Sequence, residues 1–156
     1  VRKLFVRESK DFLQKYFKKE LFFTDVEGKT KDEVLKNLCR KVEQEKGLPE
    51  TFTASVLKRE ELTPTDYGNL VALPHPERAF QERAFVAVAV LKEPIFWFRQ
   101  KVQVVFLTAI GREEDENLQQ FYEATTDLIL RPADVQNLIR HPDYDRLIQL
   151  LRRAEE

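Results

Sequence analysis

The chain holds two histidines, His75 and His141, and one cysteine, Cys39, so few of its side chains can act as nucleophiles. A neutral imidazole attacks electrophiles near neutral pH without an auxiliary base, because its pKa of about 6.5 leaves one ring nitrogen free. That suits phosphoryl exchange. A phosphorylated imidazole concentrates negative charge at one point and needs donors beside it: an arginine fork, hydroxyls or free backbone N–H groups. His75 closes the apolar run Leu70-Val71-Ala72-Leu73-Pro74, bracketed by Pro74 and Pro76, which fix the local backbone. Ends of buried strands are where α/β folds hold their sites. A histidine in such a place also serves as a hydrogen-bonded turn residue, and spacing alone leaves both roles open. Arg59, Thr65 and the Gly68-Asn69 backbone precede His75 at separations that one helix-turn-strand unit can fold around it. Each charge-assisted hydrogen bond of this kind is worth roughly 1.5–3 kcal/mol.

Arg59 follows Phe52 and Val56 in a predicted helix, and at about 100° per residue it continues their apolar stripe. Two roles fit it: a cation aimed at an anionic partner, or an arginine whose stem packs while its head reaches water. His141, in Arg140-His141-Pro142-Asp143, stands between two predicted helices and reads as a capping or solvent-facing residue. Cys39 lies within an apolar helical stripe and reads as a small core side chain. The acidic run Glu113-Glu114-Asp115-Glu116 precedes a predicted helix, where it complements the positive end of the dipole more simply than it binds a cation. Trp97, in Pro94-Ile95-Phe96-Trp97-Phe98, reads as a core or interface residue rather than a stacking platform. The sequence has no glycine-rich phosphate loop, no histidine pair at metal-ligand spacing and no Gly-x-Ser-x-Gly elbow. Neither a metal nor a cofactor is expected.

The elements that must position these residues follow from apolar periodicity. Phe12, Leu13, Tyr16 and Phe17 recur at helical spacing within Ser9 to Glu20 and predict a short amphipathic helix leading into the domain. Leu21 to Val26 reads as a strand ended by Glu27-Gly28. Thr30-Lys31-Asp32-Glu33 has capping-box form, and Val34, Leu35, Leu38, Cys39 and Val42 make one stripe running up to Gly47. A second helix is predicted from Pro49 or Glu50 to about Glu61, then a turn over Thr63 to Gly68. Three strands are predicted at Leu70 to Leu73, Phe85 to Leu91 and Val102 to Ile110. Two of them are almost uninterrupted in apolar residues, which marks strands covered on both faces and hence a layered α/β domain. Leu118, Phe121, Tyr122, Thr125, Leu128 and Ile129 then predict a helix broken at Pro132, followed by short helices around Val135 to Ile139 and Leu147 to Leu151.

At 156 residues the chain suits a single domain. Its 26 basic and 27 acidic residues give a net charge of -1 with mixed signs throughout, so there is no basic field for direct nucleic-acid contact. One cysteine excludes an internal disulfide and a cysteine metal cluster, which fits a reducing compartment, and the cytoplasm is expected. No apolar run approaches the roughly 20 residues that span a bilayer, and Val1 to Arg7 lacks the apolar stretch of a signal peptide. The chain opens on Val1 and contains no methionine, as expected of a piece of a longer protein.

Taken together, Arg59-Glu60-Glu61, Thr65, Gly68-Asn69 and Val71-Ala72-Leu73-Pro74-His75-Pro76, followed by Leu91 to Trp97 and Val104 to Leu107, resemble the mannitol/fructose-type IIA domains of the bacterial sugar phosphotransferase system. The likeness runs over roughly residues 20 to 152, implying a core over 21–152 behind an N-terminal linker or helix in a single 1–156 domain. It implies a three-layer α/β/α sandwich with a mixed sheet of about five strands. It also implies that His75 is phosphorylated by the phosphocarrier protein HPr, with Arg59 contacting the phosphate. Transporting members usually carry a second histidine at the start of the helix after the Val-Phe-Leu strand; here the aligned position is Asn117, which can still donate a hydrogen bond to phosphate. The Asn69 to Pro76 wording, Ile95-Phe96-Trp97 and Glu116-Asn117-Leu118-Gln119-Gln120-Phe121-Tyr122-Glu123 look more like the IIA-like domains that end transcription antiterminators and activators containing PTS regulation domains. The implied function is a regulatory phospho-acceptor of a sugar-responsive regulator, with HPr and the PTS regulation domains of the same chain as partners. The alternative is a transport component that passes phosphate from His75 to a cysteine on a IIB partner.

Overall fold

The computed structural model describes residues 13–113 and 115–153; Ser9 to Phe12, the first part of the predicted leading helix, lie outside these, as does Glu114. Helix α1 (Leu13–Tyr16) is a single turn, and the chain is already extended from Phe17 in β1 (Phe17–Phe23). The predicted helix therefore stops four residues short of Glu20. Parallel pairing with β4 (Phe85–Phe96) takes over, matching Phe17 to Val86 and Phe22 to Val88 and leaving Lys18, Lys19 and Glu20 exposed at an irregular stretch. Phe17 gains a buried place against Phe106 and Phe121, and such tertiary packing outweighs a weak helical periodicity.

Helix α2 (Lys31–Lys46) keeps the predicted stripe buried. Glu33 N donates to the cap hydroxyl of Thr30 at 3.2 Å, and the Glu33 carboxylate reaches back to Lys29 N at 2.9 Å, so both arms of the box are made, one of them a residue early. Gly47, at φ 67°, ends the helix in the left-handed conformation. Cys39 is fully buried, and burial pushes its thiol well above the ordinary range. Helix α3 (Thr51–Leu62) packs beside α2, with Phe52, Ser55, Val56 and Glu60 buried.

Two short strands, β2 (Asp66–Gly68) and β3 (Val71–Ala72), join β4 and β5 (Lys101–Ala109) in a five-stranded sheet ordered β1-β4-β5-β3-β2. Part of the predicted Thr63 to Gly68 turn is thus strand. The sheet is mixed, β1 with β4 and β3 with β5 parallel, β4 with β5 and β2 with β3 antiparallel. Val86, Val88, Val90, Val104 and Phe106 face α1, α4 (Leu118–Ile129), α5 (Pro132–Arg140) and α6 (Tyr144–Arg153). Ala87, Ala89, Leu91, Val105 and Leu107 face α2 and α3. The apolar residues from Phe85 to Leu91 and from Val102 to Leu107 therefore divide between the two cores, which explains the lack of polar alternation there and completes the expected α/β/α sandwich.

The segment returning from His75 to β4 lies against the segment leaving β5. Arg112 N donates to Gln81 O and Glu113 N to Glu82 O, both at 3.0 Å. Gly111 permits this approach, since a Cβ there would lie 2.2 Å from Glu82 O and 2.7 Å from Ala84 N. Gly111→Ala should force these two backbones apart and lower stability by about 1–3 kcal/mol, read as a reduced urea midpoint at constant slope.

Candidate functional site

The turn into β3 and the exit from it are both tied to β5. Leu70 O accepts from Gln103 N and Val104 N at 2.8 and 2.9 Å, and Pro74 O accepts from Thr108 N at 3.0 Å. His75 leaves the sheet immediately beyond that last bond, at the carboxyl end of β3, and is half-buried. Its Nδ1 lies 3.4 Å from Leu73 O. A carbonyl can only accept, so this long contact favours the proton on Nδ1 and leaves the Nε2 lone pair free.

Helix α3 flanks the segment carrying His75. Ser55 Oγ, 4% exposed, accepts the Glu77 N–H at 2.7 Å, fixing the chain two residues beyond the histidine. Arg59 is one turn further along α3, on the face that carries Ser55, and is half-buried. Its guanidinium donates from Nη1 to Thr63 O at 3.1 Å, satisfying a carbonyl just past the helix end. The charged side chain that α3 buries is the neighbouring Glu60, 1% exposed. Its carboxylate accepts from Thr65 N at 2.5 Å, Thr65 Oγ1 at 2.7 Å and Trp97 Nε1 at 2.9 Å. Thr65 O in turn accepts from Leu73 N at 3.1 Å. Thr65 therefore stands beside the end of β3, its hydroxyl engaged by Glu60.

The structure does not gather all the residues expected to contact phosphate. Gly68 ends β2 and Asn69 and Leu70 form the two-residue hairpin turn that enters β3, with φ of 123° at Gly68, 53° at Asn69 and 68° at Leu70. The two anchor points on β5, Val104 for Leu70 and Thr108 for Pro74, are four residues apart, or roughly 13 Å at about 3.3 Å per residue. The turn and the histidine are thus at opposite ends of the strand. The Asn69 amide is directed elsewhere, donating to Ile129 O at 2.5 Å. The fold thus does not bring these two residues to His75: a short sequence separation suggests proximity, whereas an extended strand carries residues apart. Asn117 precedes α4, the helix that follows the carboxyl end of β5, and so lies toward the same end of the sheet as His75. Its own N–H goes to Asp115 Oδ1 at 3.0 Å and its amide Nδ2 to Gln120 Oε1 at 2.7 Å, while Lys15 Nζ stands 3.5 Å from its Oδ1. Burial first, and then neighbouring Asp115, push the Tyr16 hydroxyl above the ordinary tyrosine range. Among the described residues no hydrogen bond joins His75 to Arg59, Thr65 or Asn117.

Trp97 is a core residue, 4% exposed, and His141 caps α5 from an exposed position. Ser55 and Glu60 are the site-bearing residues that sequence reasoning missed. Each had a signal: a hydroxyl in mid-helix three residues from Phe52, and a carboxylate four residues after Val56.

Residues 15–154 match the family model described as phosphoenolpyruvate-dependent sugar phosphotransferase system, EIIA 2. The chain belongs to the EIIA 2 family. This EIIA 2 chain is 36% identical over 140 residues to the probable licABCH operon regulator of Bacillus subtilis, covering 90% of the chain and 22% of that protein. It is 27% identical over 120 residues to the transcriptional regulator ManR of the same organism, covering 77% of the chain and 18% of that protein. The chain thus spans about a fifth of the length of these curated relatives. The fold is shared with mannitol enzyme IIA of Escherichia coli, solved in complex with phosphorylated mannitol enzyme IIB, at a TM-score of 0.70 and 18% identity over 86% of this chain and 97% of that one. No helix among the described residues is long and apolar enough to cross a membrane.

Ser55→Ala should deprive the Glu77 N–H of its partner and cost about 0.5–1.5 kcal/mol, with faster amide exchange at Glu77 as the local readout.

Proposed function

We propose that this EIIA domain is a regulatory phospho-acceptor, phosphorylated by HPr on Nε2 of His75 within a sugar-responsive transcriptional regulator of the cytoplasm. The observation that carries the reading is the ring's setting at the carboxyl end of β3, with Nδ1 turned to Leu73 O at 3.4 Å and Nε2 unengaged. In the step itself the Nε2 lone pair forms the new N–P bond while the bond from phosphorus to the donor breaks. The electron pair of that bond leaves with the donor, and His75 keeps its Nδ1 proton. Arg59 supplies the cation: releasing Thr63 O frees its fork for the phosphoryl oxygens. Thr65 and Asn117 have secondary roles, Thr65 holding the end of β3 and Asn117 offering an amide once it leaves Gln120.

The likeness to two Bacillus subtilis regulators supports a signalling role, in which the added charge alters contacts with the PTS regulation domains of a longer chain. A relay to a IIB cysteine is the second reading. It is favoured by the fold shared with an enzyme IIA solved on its IIB partner, and disfavoured by Asn117 standing where transporting relatives carry a histidine.

Incubation with HPr, enzyme I and phosphoenolpyruvate should place one acid-labile phosphate on the protein, and His75→Ala should abolish it. An unlabelled parent protein, or label retained by the variant, would sink the reading. Transfer of that label to a IIB protein at the rate of its formation would favour the relay. Arg59→Ala should slow phosphorylation by about tenfold or more, the loss of roughly 1.5–3 kcal/mol of charge-assisted bonding, while the fold is unchanged by circular dichroism.

A further inference from the structure

We infer that Glu60 is a positioning residue for the phosphoryl-accepting imidazole, acting through Thr65 and Leu73 and never touching the phosphate. The inference rests on the reading of His75 given above. Five groups stand in series. Trp97 Nε1 and both donors of Thr65 converge on the Glu60 carboxylate at 2.9, 2.5 and 2.7 Å. Thr65 O holds Leu73 N at 3.1 Å, and Leu73 O faces His75 Nδ1 at 3.4 Å.

Each link constrains the next. A carboxylate that is 1% exposed and has three donors on it cannot move without stranding a charge away from water. Thr65 is held to it from both backbone and side chain, so the direction of the Thr65 carbonyl is fixed as well. That carbonyl holds the Leu73 N–H, and the peptide carrying the Leu73 carbonyl extends to Pro74, whose own carbonyl is tied to Thr108 N at 3.0 Å. Two fixed points, one from Glu60 and one from β5, thus set the orientation of the single acceptor presented to the ring. That acceptor decides which ring nitrogen bears the proton and which attacks. Loss of the Glu60 bonds removes one point, letting the Leu73 carbonyl turn and the imidazole populate the tautomer protonated on Nε2, which lacks a nucleophilic lone pair there.

The shape of the site yields a conservative rescue. In Glu60→Gln an amide oxygen at the Oε2 position still accepts from Thr65 N and Trp97 Nε1, and the amide NH2 at the Oε1 position meets a Thr65 hydroxyl that rotates to accept. Glu60→Ala keeps none of these bonds. The test measures two things on parent, Glu60→Gln, Glu60→Ala and Thr65→Val: the rate of acid-labile labelling from HPr, and the His75 tautomer by two-bond 15N–1H correlation on unphosphorylated protein. Glu60→Gln should label within about twofold of the parent, and Glu60→Ala about tenfold or more slowly, the scale expected when a reacting group loses its orientation. The His75 signals of Glu60→Ala should move toward the Nε2–H pattern while those of Glu60→Gln stay with the parent. Thr65→Val, which keeps its backbone donor and loses its hydroxyl, should fall between them and supplies the comparison should Glu60→Ala not fold.

A folded Glu60→Ala with the parent's rate and tautomer would overturn the inference and leave the proposed function standing. So would parent behaviour in Thr65→Val where Glu60→Ala does not fold. A parent protein that takes no label would overturn the proposed function, and the tautomer comparison would still decide whether Glu60 orients the ring.

Discussion

The site depends on the parallel attachment of β3 to β5. β3 is only Val71–Ala72, too short to be held by its own ladder, yet bonds before and after it, from Gln103 and Val104 to Leu70 O and from Thr108 to Pro74 O, lengthen the contact to the whole of Leu70 to Pro74. Parallel pairing needs a crossover, and here it brings the carboxyl end of β3 beside that of β5, where the chain turns to enter α4. His75 is the first residue past this attachment. Its backbone is thereby placed by the sheet, and its ring is left free of the core on either face.

The second organising feature is electrostatic. A carboxylate removed from water costs several kcal/mol unless its lone pairs are met, and Glu60 is met by three donors drawn from two separate parts of the chain, the loop before β2 and the hairpin between β4 and β5. Such a group contributes less to stability than to uniqueness. Its bonds tie Thr65 and Trp97 to the end of α3, which restrains the loop ahead of β2. Arg59, one position earlier, is left at the boundary with its guanidinium on Thr63 O, a partner it can exchange for a stronger anion. Burial of the acid and release of the base on adjacent residues follow from the 100° between them.

Much of the architecture was legible in the chain. The unbroken apolar runs of β4 and β5 required cover on both faces, and the capping form at Thr30 and the stripe up to Gly47 located α2 closely. Less was legible where tertiary pairing competes with a local pattern. Leu13, Tyr16 and Phe17 fit a helical period, but β4 needed an edge partner and drew Phe17 into extended chain. In the site, His75 and Arg59 stood out by type, whereas Glu60 was hidden among Lys58, Arg59 and Glu61 in a run that looks like a solvated helix end. Composition cannot tell which member of a charged run turns inward. That is settled by the donors waiting there, Trp97 and Thr65, which come from 37 and 5 residues away.

The sequence by itself determined the local and periodic features of this EIIA domain: its main helices, its doubly covered strands, and the two prolines that hold the backbone around His75. These need only neighbours within a few residues and the division of apolar from polar. The tertiary structure alone decided which residues share the site. It separated Gly68 and Asn69 from His75 by the length of a strand, brought Ser55 to Glu77, and joined Trp97 to Thr65 through Glu60. Those relations depend on strand register and on the matching of buried donors to acceptors, which are properties of the closed fold and of no single segment.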